Sequence, residues 1–212
     1  ELYITSGNLS KAKPIVKKLL EQDAYRGEGF LYLNSILAKV ENKKNALRFV
    51  LNIAEPYPNS KEAHFAVAHA AYFANNKKLT NSELAKIKKI DPKWQTAVLF
   101  EGYIISSESP DKAANFYTSY LRKYPDASEV RLEYAKLLTN QKKYSLAKDE
   151  FLKIVNSSLA SAEISFTVSL LAIELADFDL AEKFLLQSLE RGYPKPEQIY
   201  IYLARIEDTR GN

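Results

Sequence analysis

A repeat of about 34 residues runs through this chain and constrains its fold more than any other feature. Ala12, Ala46, Thr80, Ala113, Ala147 and Ala181 recur at a constant interval, except that the step from Thr80 to Ala113 is shorter by a single position. Four residues beyond each comes a larger apolar residue: Val16, Val50, Leu84, Tyr117, Phe151 and Leu185. Twelve residues beyond each come Ala24, Pro58, Pro92, Pro125, Leu159 and Tyr193. Three registers advancing together mark one recurring supersecondary unit. Such a unit cannot bury its apolar face alone, so neighbouring copies stack to make the core.

Each period reads as two helices. Phe30, Leu33 and Leu37 have the spacing that lines one helical face, and Val67 with Ala71 and Tyr134 with Leu138 repeat it. A polar stretch follows, such as Glu41-Asn42-Lys43 or Asn140-Gln141-Lys142-Lys143, and then a second apolar face carries Ala46, Phe49, Val50 and Ile53. Pro58, Pro92 and Pro125 close their units, because proline lacks the N–H that a continuing helix needs. No long window alternates with the period of a strand, and 6 Gly and 8 Pro are too few turn residues for an all-β chain. The pattern predicts about twelve helices in antiparallel pairs and no sheet. The small residues fall where two helices cross closely. The unit around Thr80 departs most, with Thr for Ala and Lys77 where an aromatic is expected.

These residues carry a family resemblance over the whole chain. Tyr134-Ala135, Tyr144, Ala147 and Phe151 in one unit, Phe178, Ala181 and Leu185 in the next, and Phe30, Leu33, Ala46 and Pro58 in an early one resemble the tetratricopeptide repeat (TPR) pattern. The resemblance implies an all-α fold, a right-handed α-solenoid of stacked helix-turn-helix repeats. It implies a single array over 1–212, with repeats at 27–60, 61–94, 95–127, 128–161 and 162–196 and partial ones at 1–26 and 197–212. The two partial repeats suggest a piece of a longer array.

In that family the first helices line a concave groove that takes extended peptides or helices. The groove residues implied here are Tyr32, Ser35, Phe65, His69, Tyr72, Phe100, Tyr103 and Lys136. Phe65 and Phe100 read equally well as core between repeats. Leu31 and Ser35 stand where a chaperone-binding carboxylate clamp would place Lys and Asn, so that clamp is not expected. A shorter likeness lies in 189–193, 199–207 and 210–212. These stretches resemble long proteobacterial envelope repeat proteins, some of which are outer-membrane lipoproteins that serve as adaptors for a periplasmic carboxyl-terminal processing protease. That likeness implies a protease partner and a place in the periplasm or at the inner face of the outer membrane, with the cytoplasm as the other compartment.

Catalytic constellations are missing. There is no Cys, which excludes disulfides, thiol chemistry and Cys-ligated zinc. His64 and His69 are five residues apart and do not form an i, i+4 metal pair; one is expected exposed and the other toward the groove. No Gly-rich phosphate loop or G-x-S-x-G occurs, and Asp177 and Asp179 read as helix-capping residues. No catalytic residue, metal or cofactor is expected, and no apolar run reaches the roughly 18 residues of a transmembrane helix.

Residues 1–93 hold 16 Lys and Arg against 9 Asp and Glu, whereas 94–212 hold 14 against 17. The basic tracts Lys77-Lys78 and Lys86 to Lys89 lack the aromatic platforms of a nucleic-acid groove, so no nucleic acid partner is expected. The chain reads as a non-enzymatic scaffold for a protein or peptide partner. The alternative is the regulatory repeat region of a larger enzyme.

Overall fold

The computed structural model describes residues 2–22 and 26–211, Leu2 by its backbone alone, so the marker Ala24 and the termini Glu1 and Asn212 lie outside the described residues. Among the described residues there are thirteen helices and no strand. They are α1 (Leu2–Thr5), α2 (Leu9–Leu20), α3 (Arg26–Leu37), α4 (Lys43–Ala54), α5 (Lys61–Phe73), α6 (Lys77–Ile90), α7 (Gln95–Glu108), α8 (Pro110–Lys123), α9 (Ser128–Asn140), α10 (Tyr144–Ile154), α11 (Ala162–Glu174), α12 (Phe178–Glu190) and α13 (Pro196–Arg210). α1 is a single turn, and the rest match the expected pairs.

The even-numbered helices begin at residues 9, 43, 77, 110, 144 and 178, in step with the small-residue register. All six small residues are buried, at 3% exposure or less. α6, the helix with the weakest sequence signal, is a regular 14-residue helix. Thr80 takes the alanine's place because its hydroxyl donates to the Asn76 carbonyl at 3.0 Å, which leaves no orphaned polar atom in the crossing.

The turns explain the one shortened interval. Three residues separate α5 from α6, α9 from α10 and α11 from α12, and the middle one is left-handed: Asn75 (φ 59°), Lys142 (φ 58°) and Ala176 (φ 55°). The next N–H then reaches back to close the helix end, Asn76 to the Ala71 carbonyl at 2.8 Å, Lys143 to Leu138 at 3.0 Å and Asp177 to Ala172 at 2.9 Å. The side chains of Asn76 and Asp177 go on to accept from the N–H groups of Leu79 and Leu180 and so cap the following helices. Between α7 and α8 stands Ser109 alone, and it caps α8 without a left-handed residue.

Packing divides the chain into two compact units, 1–97 and 98–212, with the boundary inside α7. In the first, α5 packs along α6 and against α3 and α4, and α2 lies on α3 and α4. Its core holds Phe30, Leu33, Leu37, Val50, Ile53, Ala66 and Val67. In the second, α9 packs on α8 and α10, α11 on α10 and α12, and α13 on α12. Its core runs through Val98, Tyr117 and Val130, then Leu138, Phe151 and Val168, then Leu185, Ile199 and Ile206.

One pair of positions shows how the repeats balance volume. A Cβ on Gly102 would sit 2.2 Å from the Tyr117 hydroxyl oxygen, so the bulk of that tyrosine requires a glycine opposite it. The matching pairs in other repeats are Asn34 with Val50, Ala68 with Leu84, Ala135 with Phe151 and Ser169 with Leu185. The bulkiest of these second-helix residues, Tyr117, is matched by the smallest first-helix one, Gly102, and the smallest, Val50, by the largest, Asn34. Asn34, the largest of the facing residues, is 5% exposed, and its amide has no hydrogen-bond partner among the described residues.

A polar seam ties first to second helix in two repeats, one in each unit. His64 on α5 bonds the Glu83 carboxylate through Nδ1 at 2.6 Å and the Pro58 carbonyl through Nε2 at 2.9 Å. Arg131 on α9 holds Glu150 and donates to the Pro125 carbonyl at 2.6 Å. Lys86 and Lys153, three residues beyond the carboxylates, complete each set at 2.7 Å. His64 therefore fills the role that the Arg131 guanidinium fills two repeats later, with both ring nitrogens facing oxygen acceptors. The expectation that one histidine is exposed is corrected here. The His64 side chain is 12% exposed, because Glu83, itself 7% exposed, needs a cationic or donor partner in the crossing.

Candidate binding surface

In the first unit the residues named from sequence fall into exposed and buried groups. Tyr32 is 55% exposed on α3, and Ser35 beside it is exposed with its hydroxyl turned back on the Tyr32 carbonyl at 2.8 Å. On α5, Phe65, His69 and Phe73 follow one another at helical spacing, with centroids 6.1 and 4.8 Å apart. Trp94 meets Phe65 edge-on at 5.3 Å, and Tyr72 meets Phe73 at 5.3 Å. Lys61 lies over Trp94, 5.1 Å from its centroid, and is paired with Asp91 at 2.5 Å. Phe65 is buried, so this array presents Phe73, Tyr72 and Trp94 rather than Phe65 itself. Burial within the array holds His69 below its ordinary pKa.

In the second unit Phe100 is buried and Tyr103 is 55% exposed, both on α7. Lys136 is exposed on α9 and paired with Glu133 at 2.6 Å. Lys136 also stands on the rim of a groove between α9 and α11 with a volume of about 390 Å³. Leu132, Phe151, Leu159 and Ile164 form its apolar wall, and Glu163 lies on the opposite rim from Lys136. Thr139 and Thr167 also line it, and their hydroxyls are spent on the Ala135 and Glu163 carbonyls at 3.0 and 2.8 Å. These threonines therefore offer methyl groups to the groove.

The sequence puts most of the expected binding residues on the aromatic early repeats, and from this groove it places Leu132, Lys136 and Thr167 at inward-facing first-helix positions. A signal was present, since Leu159 stands where Pro58, Pro92 and Pro125 stand in other repeats and gives the groove wall an apolar side chain. No group of three or more His, Cys, Asp or Glu is placed to hold a metal among the described residues. No helix among them is long and apolar enough to cross a membrane.

The residues of the short sequence likeness have local work in the fold. Arg191 donates to the Ser165 hydroxyl at 2.9 Å and the Val155 carbonyl at 3.2 Å. Gly192 has φ 78°, the left-handed turn that glycine adopts most freely, and Tyr193 stacks on Phe166 at 4.4 Å. Arg210 gathers Asp179, Glu182 and Glu207 at the end of α13.

No described protein family and no curated protein matches the chain by sequence. Solved structures do match it in fold. YrrB, described as a TPR protein with an unusual peptide-binding site, is 12% identical, with a TM-score of 0.52 over 90% of this chain and 97% of that one. PilF of Pseudomonas aeruginosa is 18% identical, with a TM-score of 0.60 over 96% of this chain and 88% of that one. A thermophilic TPR protein of Thermus thermophilus is 13% identical, with a TM-score of 0.50 over 85% of this chain and 98% of that one. The all-helical chain thus has the fold of the tetratricopeptide repeat solenoids.

Proposed function

We propose that the chain is a non-enzymatic scaffold that binds a protein or peptide partner on its first helices, with the groove between α9 and α11 as the main anchor. The observation that carries this reading is the groove itself. It is concave and apolar, about 390 Å³ in volume, and has one cation and one carboxylate on its rims. That is the arrangement that seats an aliphatic or aromatic side chain of a partner while the rims pair with its flanking polar groups. Tyr32, Tyr72 and Tyr103 offer further contact area with polar tips. The peptide-binding site described for YrrB, a protein of like fold, agrees with this reading. A narrower proposal, an envelope adaptor of a carboxyl-terminal processing protease, rests on the short sequence likeness alone.

Photo-crosslinking tests the scaffold reading. A benzophenone side chain at position 167, in the groove wall, is expected to capture a defined partner from extract of the source cells. The same group at position 112, on exposed α8, is expected not to. Equal capture from both positions, or none from 167, would reject the groove.

A further inference from the structure

A second cleft lies between the α1–α2 turn with the start of α2 and the face of α4 that carries Asn45, Arg48, Phe49 and Asn52, within the first unit. Its volume is about 760 Å³, inside the range of ligand-binding clefts. Leu9 and Phe49 supply apolar surface, and Lys13, Arg48, Asn45 and Asn52 supply polar groups. No carboxylate lines it. Neither cation is paired with a carboxylate among the described residues, unlike Lys86, Arg131 and Lys153 elsewhere in the chain. The side-chain oxygen of Asn52 is buried and has no hydrogen-bond partner among the described residues. A buried amide oxygen left without a donor costs about 1–3 kcal/mol, and a turn of the half-buried Asn52 side chain into the cleft would let a bound N–H recover it.

We propose that this cleft binds an acidic peptide segment in extended form. The Asn52 oxygen accepts a peptide N–H, the Asn45 amide pairs with the peptide backbone, and Arg48 and Lys13 hold the segment's carboxylates. Leu9 and Phe49 receive an intervening apolar side chain. A peptide satisfies all of these groups at once. A free phosphate engages the two cations but leaves the apolar surface of Leu9 and Phe49 uncovered. The cleft is separate from the α9–α11 groove, so failure of either reading leaves the other standing.

The test uses the full chain labelled with ¹⁵N and three probes. These are an N-acetylated, C-amidated hexapeptide of alternating aspartate and leucine, the same peptide with asparagine for aspartate, and inorganic phosphate. The acidic peptide is expected to shift the side-chain amide signals of Asn45 and Asn52 in a saturable way. Arg48→Glu and Lys13→Glu are each expected to weaken it roughly tenfold, as loss of a charge-assisted bond does. Asn52→Leu keeps the size, removes the acceptor, and should weaken it about fivefold. Equal binding of the asparagine peptide, equal shifts with phosphate, shifts confined to other helices, or unchanged affinity in both charge variants would overturn the assignment.

Discussion

Gly102→Ala puts the packing argument to a quantitative test. In an ordinary helix this change stabilises by about 1 kcal/mol, because glycine is the poorer helix former. Here the new Cβ lands 2.2 Å from the Tyr117 hydroxyl oxygen and 2.4 Å from the ring carbon that bears it. Apolar contacts are comfortable near 3.5–4.0 Å, so the ring must retreat by about 1 Å or more. It has little room, since Tyr117 is 4% exposed and hemmed by the rings of Phe116 and Tyr134 at 5.6 and 6.2 Å. Overpacking of this kind costs about 1–3 kcal/mol. The net expectation is a loss of about 1 kcal/mol where surface rules predict a gain.

The companion change Tyr117→Leu alone opens a cavity and costs on the order of 2 kcal/mol. Combined, the two recreate the Ala68 and Leu84 pair of another repeat, and the double variant should be at least about 1 kcal/mol more stable than the sum of the singles predicts. Urea unfolding followed by far-ultraviolet circular dichroism measures all four proteins. Additivity within about 0.5 kcal/mol, the margin that independent sites show, would refute the claim that the two positions are coupled. A stabilising Gly102→Ala would refute it equally.

His64→Arg, which copies the Arg131 arrangement, should leave stability within about 1 kcal/mol of the parent, whereas His64→Leu leaves the buried Glu83 carboxylate with Lys86 as its one remaining partner and should cost about 2 kcal/mol in the same unfolding assay. Asn34→Ala removes a buried amide without a partner and places the residue found at Ala68 and Ala135, so a gain of about 1 kcal/mol is expected; a loss would show that the amide is satisfied in solution. The Tyr117 pKa is pushed up to about 12 by burial first and by the charge of Glu133 second. The unfolded chain then loses that proton near pH 10 while the folded one keeps it, so stability is full below pH 10 and falls as pH rises toward 12, by on the order of 2 kcal/mol. Tyr117→Phe should flatten the alkaline limb of a stability–pH profile by about one proton, and an unchanged limb would contradict the assignment.

The fold was legible because its rules act locally and recur. Ala12 to Ala181 fix the helix crossings, and the prolines fix the ends of second helices. Thr80 looked like a flaw only because its hydroxyl bond to Asn76 depends on helix geometry that composition does not show. The shortened step after Thr80 was visible, but its cause, the one-residue turn at Ser109, was not.

The binding surface was less legible. Helical spacing places Tyr32, Phe65 and Phe100 toward one side of their helices, but whether a ring is covered depends on neighbours from other repeats, and it separates exposed Tyr32 from buried Phe65 and Phe100. His64 gave no sign of its carboxylate partner, because Glu83 lies 19 residues away on another helix. The Arg131 and Glu150 pair has that same separation, and comparing the repeats position by position would have exposed both.

The most direct test of the scaffold account is calorimetric titration of the crosslinked partner, once identified, into three forms of the chain: the parent, Thr167→Arg and Lys112→Glu. Thr167→Arg fills the α9–α11 groove from its half-buried wall, and Lys112→Glu alters an exposed residue on α8. The account predicts that Thr167→Arg weakens binding at least about tenfold, roughly 1.4 kcal/mol, while Lys112→Glu binds like the parent and all three melt alike. Unchanged affinity in Thr167→Arg would contradict it and move the binding surface off the first helices of the second unit.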